Sequence, residues 1–105
     1  MPNGELLRQI RTCVASGDYT LRWHALEQAE QREILLEEIE QALLAEDSEI
    51  VEDYPEDTRG SSCLILGWTK RRRPIHVQVS YPPDMTVITV YEPDQERWTD
   101  FRVRR

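Results

Sequence analysis

Cysteine and histidine are scarce in this chain of 105 residues, which contains two of each. Cys13 and Cys63 have neither a metal-binding nor a redox spacing, and His24 and His76 are far apart. The sequence therefore excludes a zinc site and predicts that neither a metal nor a cofactor is bound. Two unpaired cysteines are typical of a reducing compartment, so we expect a cytoplasmic protein.

Long apolar runs and glycine-rich loops are also missing. No apolar run approaches the roughly 20 residues of a membrane span, and the first residues, MPNGELLRQIRT, lack a signal-peptide core. The chain has no glycine-rich phosphate loop, no Ser-His-Asp order and no close pair of carboxylates with a reason for a shifted pKa. These absences argue against a membrane protein, a kinase, a dinucleotide-binding enzyme and a serine hydrolase.

Basic residues are few and unevenly distributed. The formal net charge is -7, from 13 lysines and arginines against 20 aspartates and glutamates. Residues 24–57 hold thirteen acids and a single base, Arg32, whereas residues 58–105 have an excess of bases. This distribution argues against a non-specific nucleic-acid-binding protein but permits a local phosphate-binding site in the second half.

The first half of the chain has the apolar spacing of helices. Leu6, Leu7 and Ile10 recur at helical intervals, which predicts a first helix at about residues 3–16. A second helix is predicted at about residues 27–44, with an apolar face and an acidic face. The acidic face is either a solvated surface or a surface for a basic partner.

From residue 48 onwards, apolar and polar residues alternate with the period of a strand. Strands are predicted at about residues 49–54, 62–69, 74–81 and 85–92, and their short connections favour an antiparallel meander. The tail, residues 93–105, can add an edge strand. The sequence therefore predicts a single α+β domain, residues 1–105, with two N-terminal helices on one face of a three- to five-stranded antiparallel sheet.

The third predicted strand carries one of the two histidines. Its apolar members point towards the expected helices, whereas His76 and its neighbours Gln78 and Ser80 point the other way. We therefore expect His76 on an open face of the sheet, where an imidazole can act as a general acid or base, or can bond a neighbouring strand. His24, just before the second helix, can cap that helix or pair with an acid.

Several side chains are candidates for contacting phosphate or RNA. Arg59 lies in the loop DTRGSS, which can hold a phosphate, although an exposed arginine in such a turn is common. Tyr91 can donate a proton in RNA cleavage, or be a half-buried strand residue. The best RNA-binding cluster, unless it is only a solvated hairpin turn, consists of four adjacent cations: Lys70, Arg71, Arg72 and Arg73.

Four stretches together resemble a known family: WHALEQAEQRE (23–33), EIVEDYPEDTRGSSCLILGW (49–68), RPIHVQVSY (73–81) and ITVYEPDQERW (88–98). Their order and spacing are similar to those of a small bacterial domain of unknown function that is distantly grouped with BrnT- and RelE-type toxins. The resemblance covers about residues 19–100. It implies a RelE-like fold, in which helices pack on an antiparallel sheet.

The resemblance also implies a function. RelE-like toxins cleave mRNA without a metal, often on the ribosome, and an antitoxin encoded nearby neutralises them. By this resemblance His24, Arg59, His76 and Tyr91 form the candidate catalytic site, with His76 as acid or base and Arg59 stabilising the phosphorane. RelE-type nucleases are usually strongly basic, and this chain is acidic. The alternative is therefore a non-catalytic protein-interaction module of the same fold.

Overall fold

Three helices and seven short strands make up the structure, a computed structural model that describes residues 2–105, with side chains from residue 4 onwards. None of the helices within this range is both long and apolar enough to span a membrane. In chain order the elements are α1 (Pro2–Ser16), β1 (Thr20–Leu21), α2 (Trp23–Gln31), α3 (Leu36–Leu44), β2 (Glu49–Tyr54), β3 (Ser62–Trp68), β4 (Pro74–Ser80), β5 (Thr86–Tyr91), β6 (Trp98–Thr99) and β7 (Val103–Arg104).

Five of the strands form one mixed sheet in the order β1-β5-β4-β3-β2. The predicted α+β class is confirmed, but the prediction of a purely antiparallel sheet is wrong. Thr20 and Leu21, in the link between α1 and α2, pair in parallel with Thr86 and Val87 of β5. A strand of two residues is too short to show a period-two alternation, so the sequence pattern could not indicate it.

The helix predicted at about residues 27–44 is broken into α2 and α3, so the chain has three helices rather than two. Glu33 adopts a positive φ of 56°, and the amide of Ile34 donates to the carbonyl of Ala29 at 2.8 Å, which is a helix-ending pattern. The turn buries Ile34 in the core. The carboxylate of Glu38 then accepts the amide hydrogen of Leu35 at 3.0 Å and begins α3.

The helices cover one face of the sheet and form the main core with it. Ile75, Val77 and Val79 of β4 point into this core and are fully buried, as the alternation predicts. Helix α3 lies directly on β3 at Gly67, where an added Cβ would come within 2.0 Å of the backbone oxygen of Ala42. Only glycine allows the helix to approach this closely.

The second face of the sheet is covered by the end of the chain. Strands β6 and β7 form a two-stranded hairpin, and its Trp98 ring packs edge-on against His76, with centroids 4.4 Å apart. Phe101 contacts Trp68 in the same manner at 5.7 Å. The tail therefore forms a separate hairpin over the sheet, and it does not add an edge strand.

Candidate active site

His76 lies at the centre of the covered face. It stands opposite Leu66 of β3 and Tyr91 of β5 in the sheet register. The expectation that His76 lies on an open face is wrong, since its side chain is fully buried beneath Trp98. The strand alternation placed His76 correctly on the face opposite the helices, but a period-two pattern does not show what covers that face.

The hydrogen bonds of His76 determine which ring nitrogen carries its proton. Nε2 lies 2.7 Å from the backbone oxygen of Phe101, which can only accept a hydrogen bond, so Nε2 is protonated. In the neutral ring, Nδ1 then has a free lone pair. It lies 3.2 Å from the Tyr91 hydroxyl, which donates to it. Hydrogen bonds thus link Tyr91, His76 and the Phe101 carbonyl, and the link between the Tyr91 oxygen and Nδ1 is the one along which a proton can move.

Burial shifts the acidity of both side chains. Desolvation lowers the pKa of His76 below its ordinary value, against the opposing effect of the bond to the Phe101 carbonyl, so the ring is neutral at neutral pH. Desolvation also raises the pKa of Tyr91 to about 12, with the positive charge of Arg104 acting in the opposite direction. At neutral pH the pair therefore consists of a protonated phenol and a neutral imidazole.

Tyr91 also lines an open cleft of about 460 Å³ in which three arginines meet, Arg32, Arg97 and Arg104. We call this the arginine cleft. Arg104 donates to Glu52 at 2.8 Å and lies over the Trp98 ring, 4.6 Å from its centroid. Among the residues that the structure describes, Arg32 and Arg97 have no ion pair, so their charges are available to an anion. Glu92 and Asp94 also line the cleft and limit its positive potential.

Two of the four candidate catalytic residues lie elsewhere. Arg59 is in the β2–β3 loop with its side chain 88% exposed, and it pairs with Asp57 at 3.1 Å. That loop leads into Ser62, which pairs with Ser80, four residues and roughly 13 Å along β4 from His76. His24 is exposed near the start of α2. The structure thus brings His76 and Tyr91 together but does not bring Arg59 or His24 to them.

The four cations predicted to bind RNA occupy the turn between β3 and β4. Arg72 pairs with Asp47 at 3.1 Å and stacks on Trp68, and Arg73 is half-buried. The Arg73 guanidinium bonds Glu92 and donates to the carbonyls of the α2–α3 turn at 2.8 and 3.0 Å. Lys70 and Arg71 are exposed. Arg73 therefore fastens the helices to the sheet, whereas the other three cations are exposed and Arg72 is held in its ion pair with Asp47.

Sequence reasoning did not select the residues of the arginine cleft other than Tyr91. Arg32 was the single base in a strongly acidic stretch, which was a usable signal. Arg97 and Arg104 belong to the tail, and only the fold of the C-terminal hairpin brings them to Tyr91. Within residues 2–105, no three His, Cys, Asp or Glu side chains cluster closely enough to hold a metal ion.

Comparison with models of protein families assigns the chain to one family. Residues 21–92 match the model of DUF4258, a domain of unknown function, and the chain belongs to this family. The matched region runs from β1 to the residue after β5, so it includes His76 and Tyr91 and ends before the C-terminal hairpin. Neither the curated proteins nor the solved structures gave a match.

The lowered pKa of His76 predicts a particular pH dependence of stability. The unfolded chain binds a proton at His76 below about pH 6.5, whereas the buried ring resists it, so the free energy of unfolding should fall as the pH drops below this value. His76→Gln should abolish the part of this fall in the free energy of unfolding that comes from His76. Urea unfolding followed by circular dichroism at several pH values between about 7.5 and 5 measures it.

His24→Gln is the matched control, because His24 is the other histidine and is exposed. This variant keeps His76, so its unfolding free energy should still fall between these pH values. A His76→Gln variant that loses as much stability as the wild type between these pH values would contradict the buried, neutral state of His76.

Proposed function

We propose that this chain is a toxin of the RelE/BrnT type, a metal-independent endoribonuclease that cuts mRNA in the arginine cleft. The observation that carries the proposal is the Tyr91–His76 hydrogen bond at the wall of a cleft lined by Arg32, Arg97 and Arg104. The pair supplies a route for a proton, and the arginines supply positive charge beside it. Both are needed to cleave a phosphodiester without a metal.

In the proposed mechanism, the ribose 2′ hydroxyl of the substrate attacks the adjacent phosphorus. The Tyr91 oxygen takes the proton of the 2′ hydroxyl while the Tyr91 proton passes to Nδ1 of His76. The Phe101 carbonyl accepts a hydrogen bond from Nε2 and stabilises the imidazolium that forms. The bond between phosphorus and the 5′ oxygen breaks, and this oxygen takes a proton from water in the open cleft. The hydroxide that remains takes a proton from the Tyr91 hydroxyl as Nδ1 of His76 returns its own to the Tyr91 oxygen, which restores the neutral pair.

In the proposed mechanism Arg32 and Arg97 hold the scissile phosphate. Because neither has an ion pair within the described part of the chain, their guanidinium groups can donate to the non-bridging oxygens as charge develops in the phosphorane. The net charge of -7 opposes binding of free RNA. We therefore infer that the ribosome presents the mRNA. From the resemblance to RelE-type toxins we further propose that a protein antitoxin encoded nearby blocks the activity.

The test adds the purified chain to a cell-free translation reaction and maps the mRNA ends by primer extension. Wild-type protein should produce breaks with 2′,3′-cyclic phosphate and 5′-hydroxyl ends. Arg97→Gln should slow cleavage at least about tenfold, because one donor to the phosphorane is lost. Arg59→Gln is the matched control and should cleave like the wild type, since Arg59 is exposed outside the cleft. Intact mRNA in the wild-type reaction would contradict the proposal.

A second candidate function is a non-catalytic protein-interaction module. The observation in its favour is that acidic side chains already engage several arginines: Arg59 with Asp57, Arg72 with Asp47, Arg73 with Glu92, Arg102 with Glu49 and Arg104 with Glu52. Cations held in this way contribute little to RNA affinity. Intact mRNA in the same cell-free reaction, with a correctly folded wild-type chain, would favour this module.

A further inference from the structure

Helices α2 and α3 leave an apolar groove on the surface. It has a volume of about 360 Å³ and contains most of the large hydrophobic side chains that are exposed within the described residues. Trp23 is 74% exposed, and the others in the groove are Leu35 at 57%, Leu36 at 50% and Leu26 at 41%. We call this surface the α2–α3 groove.

These side chains do not contribute to the core of the chain. Helix α2 meets the core through Ala25 and Ala29, which are buried, whereas Trp23 and Leu26 point away from it. Single exposed hydrophobic residues are ordinary, but a contiguous group that includes a tryptophan is typical of a binding surface. The groove is therefore suited to an apolar partner segment.

The border of the groove is negatively charged. Glu27 and Glu30 line it, and Glu33 and Glu37 lie in or beside the turn that joins the two helices. None of these four has an ion pair within residues 4–105. The nearest bases in sequence, Arg22 and Arg32, stand at the two ends of α2. An occupant with positive charge around an apolar stripe would neutralise these acids.

We propose that the α2–α3 groove binds a basic amphipathic helix of a partner protein. An apolar stripe with i, i+4, i+7 spacing would contact Trp23 and the leucines, and flanking lysines or arginines would meet Glu27 and Glu30. A symmetric contact with a second copy would bring two negatively charged groove borders together, which is unfavourable. Charge complementarity therefore selects a basic partner over the chain itself.

This interaction does not depend on RNA cleavage. The groove shares no lining residue with the arginine cleft, so each surface can be changed without touching the other. Failure of the two proposals can therefore be told apart. The groove can bind a helix when the cleft does not cleave RNA, and the cleft can cleave RNA when the groove does not bind a helix.

The probe is a labelled synthetic peptide of about 18 residues, which is five helical turns, with leucines in one stripe and lysines elsewhere. Fluorescence anisotropy measures its dissociation constant for the purified chain. Trp23→Ser should weaken binding at least about tenfold, because a large anchor is lost. Val103→Ser is the matched control, since Val103 is 62% exposed on β7, and it should change binding by less than about twofold.

Charge is tested with a twin peptide in which every lysine is replaced by glutamate. The wild-type chain should prefer the lysine peptide, and Glu27→Lys combined with Glu30→Lys should reverse this preference. Circular dichroism checks that each variant is folded. The proposal is overturned if the wild-type chain binds neither peptide or binds both equally, or if Trp23→Ser binds the lysine peptide as tightly as the wild type does. It is also overturned if sedimentation shows a wild-type dimer that Trp23→Ser abolishes, because the groove would then bind a second copy of the chain.

Discussion

Gly67→Ala is expected to destabilise the protein by about 3 kcal/mol or more, because there is no space for a methyl group. The new Cβ would lie 2.0 Å from the backbone oxygen of Ala42, 2.5 Å from its carbonyl carbon and 2.8 Å from its Cα. All three atoms belong to the α3 backbone, so no side-chain rotation relieves the contact. Either α3 moves off β3 or the strand bends, and both open the core. Urea unfolding measures the loss.

Gly4→Ala is the matched control for this substitution. Gly4 lies in α1, and its added Cβ would have no heavy atom within 4 Å other than those of its chain neighbours and of the nearby backbone of α1. Alanine favours the helix over glycine by up to about 1 kcal/mol, so this variant should be at least as stable as the wild type. Equal stability of Gly67→Ala and the wild type would show that α3 does not pack on β3 at Gly67.

The main strands could be predicted from the sequence because their signals are local. Alternation and short connections indicated strands at 49–54 and 74–81, and the structure has them at Glu49–Tyr54 and Pro74–Ser80. The same pattern placed Ile75, Val77 and Val79 towards the helices. Period-two signals need several consecutive residues, which the central strands have and β1, with two residues, lacks.

The break between α2 and α3 was not predicted because helical spacing continues across it. Leu35, Ile39 and Leu43 keep a helical period, yet Leu35 is exposed and Ile34 is buried. The break depends on the left-handed φ of Glu33, a residue type that gives no sign of a turn. The separation of the two helices also creates the α2–α3 groove, so the groove could not be predicted either.

About half of the candidate site followed from the sequence. His76 and Tyr91 lie on adjacent strands of a predicted meander, so their proximity was accessible from the strand pattern. The cover over His76 comes from the C-terminal hairpin, where β6 and β7 have two residues each. Contacts such as that of His76 with Phe101, 25 residues apart, depend on tertiary packing and leave no periodic signal.

Tyr91→Phe should reduce the rate of the proposed RNA cleavage by about 100-fold or more, because general acid–base groups contribute this much. The substitution keeps the aromatic ring and removes only the hydroxyl that donates to Nδ1 of His76. The substitution leaves the buried Nδ1 without its donor and should cost about 1 to 3 kcal/mol of stability, and circular dichroism checks that the variant is folded. The effect would therefore be on the chemical step and not on the amount of native protein.

Tyr81→Phe is the matched control, because Tyr81 carries a similar hydroxyl bonded to Asp53 outside the arginine cleft. The decisive measurement is the single-turnover rate of mRNA cleavage in a cell-free translation reaction, compared among the wild type, Tyr91→Phe and Tyr81→Phe. We predict that Tyr91→Phe is almost inactive while Tyr81→Phe cleaves at close to the wild-type rate. Cleavage by folded Tyr91→Phe at the wild-type rate would contradict the assignment of the Tyr91–His76 pair as the catalytic centre.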